Sequence, residues 1–464
     1  MDQNRSHQAT WIVPIITATI GIALAGCVVA HASWLNGSWY WRWPWRDRAS
    51  LPAVRWYAPM LPAALPIVMA WFVTTRSKWR TLLAIALLML GVFAMKLVSV
   101  AFVTSPASFA QLAAIVRSPD ATSYYSDAAA LQDVQVPLAI YPEIISLPSA
   151  NLHTRSKPPG AVMYYLGFIH AYGFGDRSAI IAGIVLGALA TLSIPATYWL
   201  AMRFAKDRST ALLCATLLAM CPGYLFHFPT FDATYPILAA ALIGLWHLAI
   251  TRDDWRLAIG VGVVLGIITF ITYNLLVLGA VMIAGAVGLV SMSSTRRRMI
   301  QQIVLLAILA LVCFVAFYVV LWIYTGFDPI ATFRAALRNQ NALLAQHADQ
   351  RPYPATIWFD LVDFALGMGW IVLLPAMFGI ARLNRERTAV LWPCVFGVEL
   401  PVLVAIIGVL QAETSRVWIF MLPMFLLPAA VELRRWSPAQ RTLVFATLLM
   451  IALAVGHNML FLIP

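Results

Sequence analysis

The chain has 464 residues, of which 62% are hydrophobic and only 11% are charged. A soluble globular protein carries about 25% charged residues, so this chain has too little polar surface to cover a soluble globule of its size. The composition therefore excludes a cytosolic enzyme, a disordered chain, a disulfide scaffold and a coiled coil.

Apolar runs near 20 residues recur along the chain, and most of them are separated by short charged segments. A run of that length crosses about 30 Å of hydrocarbon as a helix. The sequence therefore predicts an all-α polytopic membrane protein with about 13 transmembrane helices. The predicted spans cover residues 11–32, 57–74, 81–103, 178–203, 210–227, 233–250, 257–273, 275–292, 300–324, 361–382, 388–410, 417–433 and 441–461.

The net charge of +12 arises mainly in the connections between spans, and six consecutive connections on one side are basic. Because Lys and Arg are retained on the cytoplasmic side, we expect a cytoplasmic amino terminus in a bacterial inner (plasma) membrane. The basic residues form no stripe on a folded domain, so we expect membrane lipids, and no nucleic acid, as partners. Residues 33–56 are the exception, because they are basic yet fall on the other side. Their Arg and Trp residues predict a segment in the headgroup layer: Arg42, Arg46, Arg48, Arg55, Trp34, Trp39, Trp41, Trp43 and Trp45.

Two connections are much longer than the rest, and both fall on the side opposite the basic connections. Inserts of this length usually carry function when the remainder of a chain is scaffold. We divide the chain into amino-terminal transmembrane helices (1–103), a first external loop with short membrane-surface helices (104–177), a transmembrane core (178–324), an external lid or acceptor loop (325–360) and carboxy-terminal transmembrane helices (361–464).

The first external loop is rich in carboxylates near its start. Pro119 and Asp120 resemble a helix start, which predicts a short helix along the membrane surface. Asp120 is either the N-cap of that helix or a site residue. Asp127 follows one heptad later, so on a helix it would share a face with Asp120 and approach the same site.

The same loop ends in His153-Thr154-Arg155-Ser156-Lys157-Pro158-Pro159-Gly160, followed by an apolar stretch. A lysine fixed beside two prolines at the membrane edge is suited to holding a phosphate near lipid headgroups. A rigid turn with a solvated lysine explains the motif equally well.

This pattern resembles the first external loop of the GT-C glycosyltransferases, in particular the bacterial aminoarabinose transferases and the protein mannosyltransferases. The resemblance rests on Asp120-x-x-x-Tyr124 and on Lys157-Pro158-Pro159-Gly160 leading into an apolar helix, and it covers roughly residues 117–235. A further match is Asp232, which falls in a short external turn where family members often carry a second acidic residue. Asp232 could equally be the N-cap of the next span, and His227 nearby could assist or be structural.

The last external turn contains Glu413 and Arg416, which are three residues apart and so could pair with each other. Alternatively, Arg416 faces the site and binds a lipid phosphate as a bidentate donor. Within the predicted spans, Lys96 and Glu399 are costly unless they are paired, and an ion pair between their helices is one arrangement that would satisfy both.

The resemblance implies transfer of a sugar from a polyprenyl-phosphate donor to a glycan, lipid or protein acceptor on the extracytoplasmic side, with inversion. Asp120 would be the base, and Lys157 and Arg416 would bind the donor phosphate. Asp232 would position the acceptor or, together with Asp120, bind Mg²⁺ or Mn²⁺. Supporting roles are open to four further residues: Tyr124, Asp127, His153 and Glu413.

Two other functions share many of these features. A transporter or a flippase for lipid-linked glycans would have similar spans, but it should place its polar residues in broken helices at mid-membrane. A polymerase or ligase of lipid-linked glycans usually has its largest external loop late in the chain. Because the polar residues gather in external loops and the largest loop comes early, the sequence favours the transferase.

Overall fold

The fold is helical throughout the part of the chain that the computed structural model describes, namely residues 11–36, 43–47, 50–73, 77–103, 106–134, 136–147, 150–346, 349, 352–386, 390–460 and 462. Within these residues the only extended pairing is an isolated bridge between Trp45 and Met459. The predicted all-α architecture is therefore confirmed.

The α-helices are numbered in chain order: α1 (Ile12–Val29), α2 (Ala53–Trp71), α3 (Lys78–Ala101), α4 (Ala110–Arg117), α5 (Tyr124–Ala130), α6 (Tyr141–Ile144), α7 (Leu152–Arg155), α8 (Gly160–Tyr172), α9 (Asp176–Thr191), α10 (Ser193–Ala205), α11 (Arg208–Ala219), α12 (Pro222–Phe226), α13 (Tyr235–Arg252), α14 (Trp255–Ile271), α15 (Leu278–Met292), α16 (Arg296–Thr325), α17 (Pro329–Gln346), α18 (Ala355–Met368), α19 (Leu373–Glu386), α20 (Leu391–Ile407), α21 (Thr414–Val417), α22 (Leu422–Leu433) and α23 (Pro438–Asn458). Short 3-10 turns occupy Ser33–Asn36, Phe231–Thr234, Asn274–Val277 and Ile419–Met421.

The helix lengths are those of a polytopic membrane protein. Among the described residues, eight helical segments are long and apolar enough to cross a membrane, or nine if α18 and α19 form one bent span. Four shorter apolar helices of 10–17 residues fall where further spans were predicted: α11, α14, α20 and Ile419–Leu433. These lengths do not confirm the predicted count of 13.

One predicted span and one predicted loop differ from the structure. The span predicted at 361–382 is bent by 97° between α18 and α19. Gly369 occupies the bend with φ +91°, a left-handed conformation that glycine adopts without strain. The connection 325–360 was expected as a loop, but half of it forms α17. The carboxylate of Asp328 caps that helix by accepting from the amides of Ile330 (2.9 Å) and Ala331 (2.8 Å).

One end of the bundle, the basic end, collects the short basic connections. Carboxylates there cap helices and pair with arginines, which fixes the loops to one another. Asp207 caps α11 by accepting from the amide of Thr210 (2.7 Å), and it also contacts Arg434 Nε at 3.2 Å. Glu432 Oε2 lies 3.0 Å from Arg382 Nε. The long connections, with α4 to α8 and α17, lie at the other end.

The tryptophan-rich segment, predicted to lie in the headgroup layer, packs partly inside the protein in the residues that the structure describes. Trp43 is buried, and its Nε1 donates to Asp363 Oδ1 at 2.7 Å. Arg46 donates to the carbonyl of His457 at 3.1 Å and packs over the Trp56 ring. Trp34 is exposed. The predictions for Trp39, Trp41, Arg42 and Arg48 lie outside the described residues.

The predicted ion pair between Lys96 and Glu399 does not form. Lys96 is buried in α3, where its Nζ donates to the carbonyl of Tyr224 and lies 4.5 Å from the centre of the Tyr224 ring. Glu399 is exposed on α20. The charge of Lys96 is thus stabilised by a backbone carbonyl and by the face of an aromatic ring.

Candidate functional site

A cavity of about 390 Å³ lies where the two long connections meet. Its floor comes from the first connection and the short turns between spans, and α17 covers it from above. The side-chain amide of Asn339 in α17 donates to the carbonyls of Ile145 (2.8 Å) and Arg155 (3.0 Å), which holds α17 over the first connection. The polar and charged side chains that line the cavity are Tyr124, His153, Ser156, Lys157, Asp232, Tyr273, Asn274, Gln340, Asn341, Gln411, Glu413 and Arg416.

Arg416 lies at the centre of the charged residues of this cavity. Its side chain is only 10% exposed, and its Nη2 contacts Glu413 Oε2 at 2.5 Å. Its Nε is buried without a hydrogen bond, and Asp232 Oδ2 lies 3.6 Å away from it. Burial disfavours the charge, but Glu413 and Asp232 outweigh this effect and raise the pKa of Arg416. The guanidinium therefore stays charged at the lining of the cavity. The pairing with Glu413 that the sequence offered is observed, and Arg416 also faces the cavity, whereas its binding of a lipid phosphate stays a prediction.

Two aspartates in α18 hold the Arg416 segment in place. Asp363 Oδ2 accepts from the amide of Ser415 (3.0 Å), and Asp360 Oδ1 accepts from the amide of Ala412 (2.9 Å). Ala412 and Glu413 both have positive φ, so this turn needs such support. The sequence interpretation missed these aspartates. The available signal was a pair of acidic residues three apart in an apolar helix, which is costly unless both find partners.

Lys157 provides the second cation of the cavity. Its Nζ donates to Asn274 Oδ1 at 2.5 Å, which leaves two of its three donors available. Burial lowers the pKa of Lys157 to about 8, although the charge of Asp232 opposes this shift. At neutral pH Lys157 is therefore mostly charged.

Asp232 is the carboxylate that these two cations approach. It lies in the 3-10 turn Phe231–Thr234, directly before α13, and its side chain is 17% exposed. The side chain caps no helix, since the hydrogen bond at the start of α13 is made by backbone atoms. Tyr124 also lines the cavity, and its ring packs edge-on against Phe231, 6.0 Å away. Burial, and then the charge of Asp232, raise the pKa of Tyr124, so its phenol stays protonated.

Asp120, the predicted base, does not line this cavity. Its carboxylate is exposed, and its backbone carbonyl lies 3.3 Å from His153 Nε2, whose ring does line the cavity. The predicted helix start at Pro119–Asp120 is wrong, because residues 119–122 form a turn and α5 begins at Tyr124. Burial and the charge of Arg416 lower the pKa of His153 to about 4, so its ring is neutral at pH 7.

Asp127 does not share a helical face with Asp120, because the turn intervenes. It is buried, and its Oδ1 accepts from the side-chain amide of Asn151 at 2.8 Å. That hydrogen bond ties α5 to the segment before α7, which carries His153 toward the cavity. His227 is likewise away from the cavity lining, with its Nε2 3.3 Å from Ser415 Oγ. Both residues support the site from outside the cavity.

An apolar groove of about 780 Å³ adjoins the charged cavity and shares Tyr273 and Phe333 with it. The two rings meet edge-to-face at 5.1 Å, at the boundary between cavity and groove. The rest of the groove is formed by α14, α16 and the start of α17, and it is lined mainly by apolar residues: Leu276, Phe314, Val315, Val319, Trp322, Pro329 and Ile330.

The metal site predicted at Asp120 and Asp232 has no preformed ligand cluster. In the described ranges no three His, Cys, Asp or Glu side chains gather closely enough to hold a metal ion. Asp232 faces Arg416 instead, at 3.6 Å. The positive charge of Arg416 repels a metal ion at this place and attracts an anionic ligand. The residues present therefore do not fit a preformed metal centre, and no step proposed below passes through one.

Comparison with known proteins gives no family assignment. No protein-family model matches the chain, and no curated protein resembles it closely enough to count as a relative. The functional interpretation therefore depends on the geometry of the cavity and groove and on the sequence motifs.

Proposed function

We propose that this protein is a membrane glycosyltransferase that moves a sugar from a polyprenyl-phosphate donor to an acceptor on the extracytoplasmic side, with inversion. One observation carries the proposal: Lys157, Arg416 and Asp232 line a single cavity that adjoins an apolar groove. A lipid phosphate needs positive charge for its head and an apolar path for its tail, and these two compartments would supply both.

The two cations are suited to the donor phosphate. Arg416 lines the cavity and stays charged, and Lys157 has two donors left. Preorganised cationic donors stabilise the charge that develops on a leaving phosphate. Glu413 and Asp232 keep Arg416 oriented before the donor arrives.

Asp232 is the carboxylate best placed to act as the base. In the proposed reaction, Asp232 removes the proton from the acceptor hydroxyl, and the acceptor oxygen attacks the anomeric carbon. The bond between that carbon and the phosphate oxygen breaks, and its electron pair leaves with the lipid phosphate, which Lys157 and Arg416 hold. Attack opposite the phosphate inverts the anomeric carbon. Asp232 contacts Arg416 at 3.6 Å without a hydrogen bond, so its oxygens remain free to accept a proton.

Asp120 is the competing candidate for the base, because the sequence resemblance favours it. Its exposed carboxylate lies beyond the cavity lining, and only its backbone contacts His153. A positioned base contributes about 10²–10⁴ in rate. Asp232→Asn should therefore lower turnover by at least about 10²-fold, whereas Asp120→Asn should retain more than a tenth of wild-type turnover. If Asp120→Asn lowers turnover more than Asp232→Asn does, Asp120 is the base.

The apolar groove is the feature that supports an isoprenoid tail as part of the donor, because it would receive that tail. A photoreactive polyprenyl-phosphate analogue should label residues of α16 and α17 near Trp322 and Phe333. Exposed apolar residues of α1 that do not line the groove, such as Ile12 and Ile16, provide the control surface. Labelling spread equally over α1 and α16 would contradict the assignment of the groove to the tail.

The location and orientation proposed here are those of an enzyme in the bacterial inner membrane with its cavity outside. The basic end of the bundle, which carries Arg252, Arg256 and Arg434, would face the cytoplasm under the positive-inside rule. The charged cavity is at the other end, since α13 runs from Tyr235 beside Asp232 to Arg252 over 18 residues.

A transporter is the second candidate, and the 97° bend between α18 and α19 is the observation that favours it. Broken helices often form the substrate sites of transporters. Here the bend packs against the turn that holds Arg416: a Cβ added at Gly367 would meet Ser415 Cα at 2.7 Å. Packing against the Arg416 turn is therefore a sufficient reason for the bend. Uptake of an intact lipid-linked sugar into sealed vesicles, without release of lipid phosphate, would support the transporter.

A further inference from the structure

At the basic end of the bundle, two adjoining cavities lie far from the charged cavity described above. The deeper one, of about 220 Å³, is lined largely by apolar side chains of α13, α15 and α20, among them Trp246, Met282 and Phe396. The outer one, of about 310 Å³, shares Arg203, Lys206, His247 and Thr251 with the deeper one. Together they form an apolar pocket with a basic mouth.

The basic mouth has cations without matching carboxylates. Among the described residues that line the two cavities there is no Asp or Glu. Arg203 packs over the Trp199 ring at 5.2 Å, and its buried Nε makes no hydrogen bond. Lys206 and Arg252 are exposed at the same mouth. Nearby Asp207 is engaged with Thr210 and Arg434. The mouth therefore presents positive charge to any ligand.

We propose that this pocket binds an anionic phospholipid of the membrane leaflet at the basic end. Its phosphate headgroup lies among Arg203, Lys206 and Arg252, and one acyl chain enters the deeper cavity between α13, α15 and α20. Basic pockets between transmembrane helices at the cytoplasmic side recognise anionic headgroups in this way. Charge complementarity at the mouth and apolar lining below it together select an anionic lipid over a neutral one.

This lipid is distinct from the proposed sugar donor. The 18-residue helix α13 is about 27 Å long, and Asp232 lies at one of its ends and the basic mouth at the other. A single lipid head cannot occupy both places. The proposal concerns binding at the basic end and does not depend on the glycosyltransferase function.

The glycines of α15 offer a matched pair of variants. A Cβ added at Gly285 or at Gly279 meets no atom within 4 Å, so both positions accept a larger side chain. Gly285 lines the deeper cavity and Gly279 does not. Gly285→Leu therefore fills the pocket, and Gly279→Leu is its control in the same helix. Arg256→Gln is the charge control, because Arg256 lies at the basic end over Trp255 but outside both cavities.

The test measures lipid binding to the delipidated full chain in detergent by native mass spectrometry. Phosphatidylglycerol should bind, whereas phosphatidylcholine and glycerol phosphate should bind at least about 10-fold more weakly, since one lacks net charge and the other lacks chains. Removing a basic contact should weaken binding of phosphatidylglycerol about 5-fold for each residue. The double variant R203Q/K206Q should therefore bind about 25-fold more weakly, and Gly285→Leu should also bind weakly.

The two control variants, R256Q and Gly279→Leu, should bind phosphatidylglycerol as tightly as the wild type. Equal binding of phosphatidylcholine, or unchanged phosphatidylglycerol binding in both R203Q/K206Q and Gly285→Leu, would overturn the proposal. Glycerol phosphate binding as tightly as the lipid would overturn the role of the deeper cavity. If the double variant does not fold, Lys206→Gln alone keeps the test decisive, because that side chain is exposed.

Discussion

The lowered pKa of Lys157 predicts that binding of the sugar donor weakens as the pH rises. A free lysine titrates near pH 10.4, well above the range in which most enzymes are assayed. Burial, and then the charge of Arg416, lower the pKa of Lys157 to about 8 in the folded protein, although the charge of Asp232 opposes this shift. A lysine is charged below its pKa, so the contribution of Lys157 to phosphate binding is present at pH 7 and is lost as the pH rises through about 8.

The size of the effect follows from the charged fraction. With a pKa of about 8, roughly nine-tenths of Lys157 is charged at pH 7 and roughly one-tenth at pH 9. If the donor binds only the charged form, its apparent dissociation constant rises about 10-fold between these pH values. The other cationic groups of the cavity do not titrate in this interval, because His153 has a pKa of about 4 and the pKa of Arg416 is raised.

The assay is equilibrium binding of a polyprenyl-phosphate sugar, without acceptor, between pH 6.5 and 9.5 by thermophoresis of the purified protein. The phosphodiester of that donor does not titrate in this range. Lys157→Arg keeps a positive charge throughout, so it should bind at pH 9 nearly as well as at pH 7. Lys78→Arg is the control, because Lys78 is exposed at the start of α3 and does not line the cavity. An identical alkaline loss in Lys157→Arg, or no loss in the wild type, would refute the reasoning.

Further predictions concern the support of the site, its dependence on metal and the groove. Asp363→Ala leaves the Trp43 Nε1 and the Ser415 amide without their acceptor, at about 1–3 kcal/mol each. Chemical denaturation should therefore show a lower free energy of unfolding. The affinity for the donor should also fall, because the turn that carries Arg416 loses its support. A variant with unchanged stability and donor affinity would contradict the role of Asp363. Chelation with EDTA should leave turnover intact, since Lys157 and Arg416 supply the charge that a metal would otherwise provide, and full inactivation reversed by Mg²⁺ would disprove this. Leu276→Trp narrows the groove and should raise KM for long polyprenyl donors while sparing short ones; an equal change for both lengths would contradict a groove that receives the tail.

Sequence reasoning predicted the helical class and much of the site because strong chemical signals mark them. Apolar runs that are long enough, as helices, to cross the membrane are not expected in a soluble protein, so they indicate the candidate spans. Lys157 was identified from its motif beside two prolines, Asp232 from the resemblance to the GT-C enzymes, and Arg416 from its place in the last external turn, where it could bind a phosphate as a bidentate donor. The structure brings these three into one cavity, together with Tyr124, His153 and Glu413.

The predictions that failed depended on tertiary contacts that a local pattern does not contain. Asp120 was placed at a helix start because Pro-Asp often begins one, but Ser118 Oγ instead accepts from the amides of Asp120 and Ala121 and closes a turn. The tryptophan-rich pattern around Trp43 did not indicate that this residue is buried, with its indole N–H donating to Asp363, 320 residues later. No sequence pattern could reveal a partner so distant.

The central claim is that the charged cavity transfers a sugar from a lipid phosphate, and turnover measures it most directly. Purified wild-type protein and Asp232→Asn should be incubated in detergent with a panel of radiolabelled polyprenyl-phosphate sugars and a membrane extract as the source of acceptor. The account predicts release of free polyprenyl phosphate from at least one donor by the wild type and at least about 10²-fold less by the variant. Absence of release from every donor by folded protein that binds the lipid, or equal release by both proteins, would contradict it.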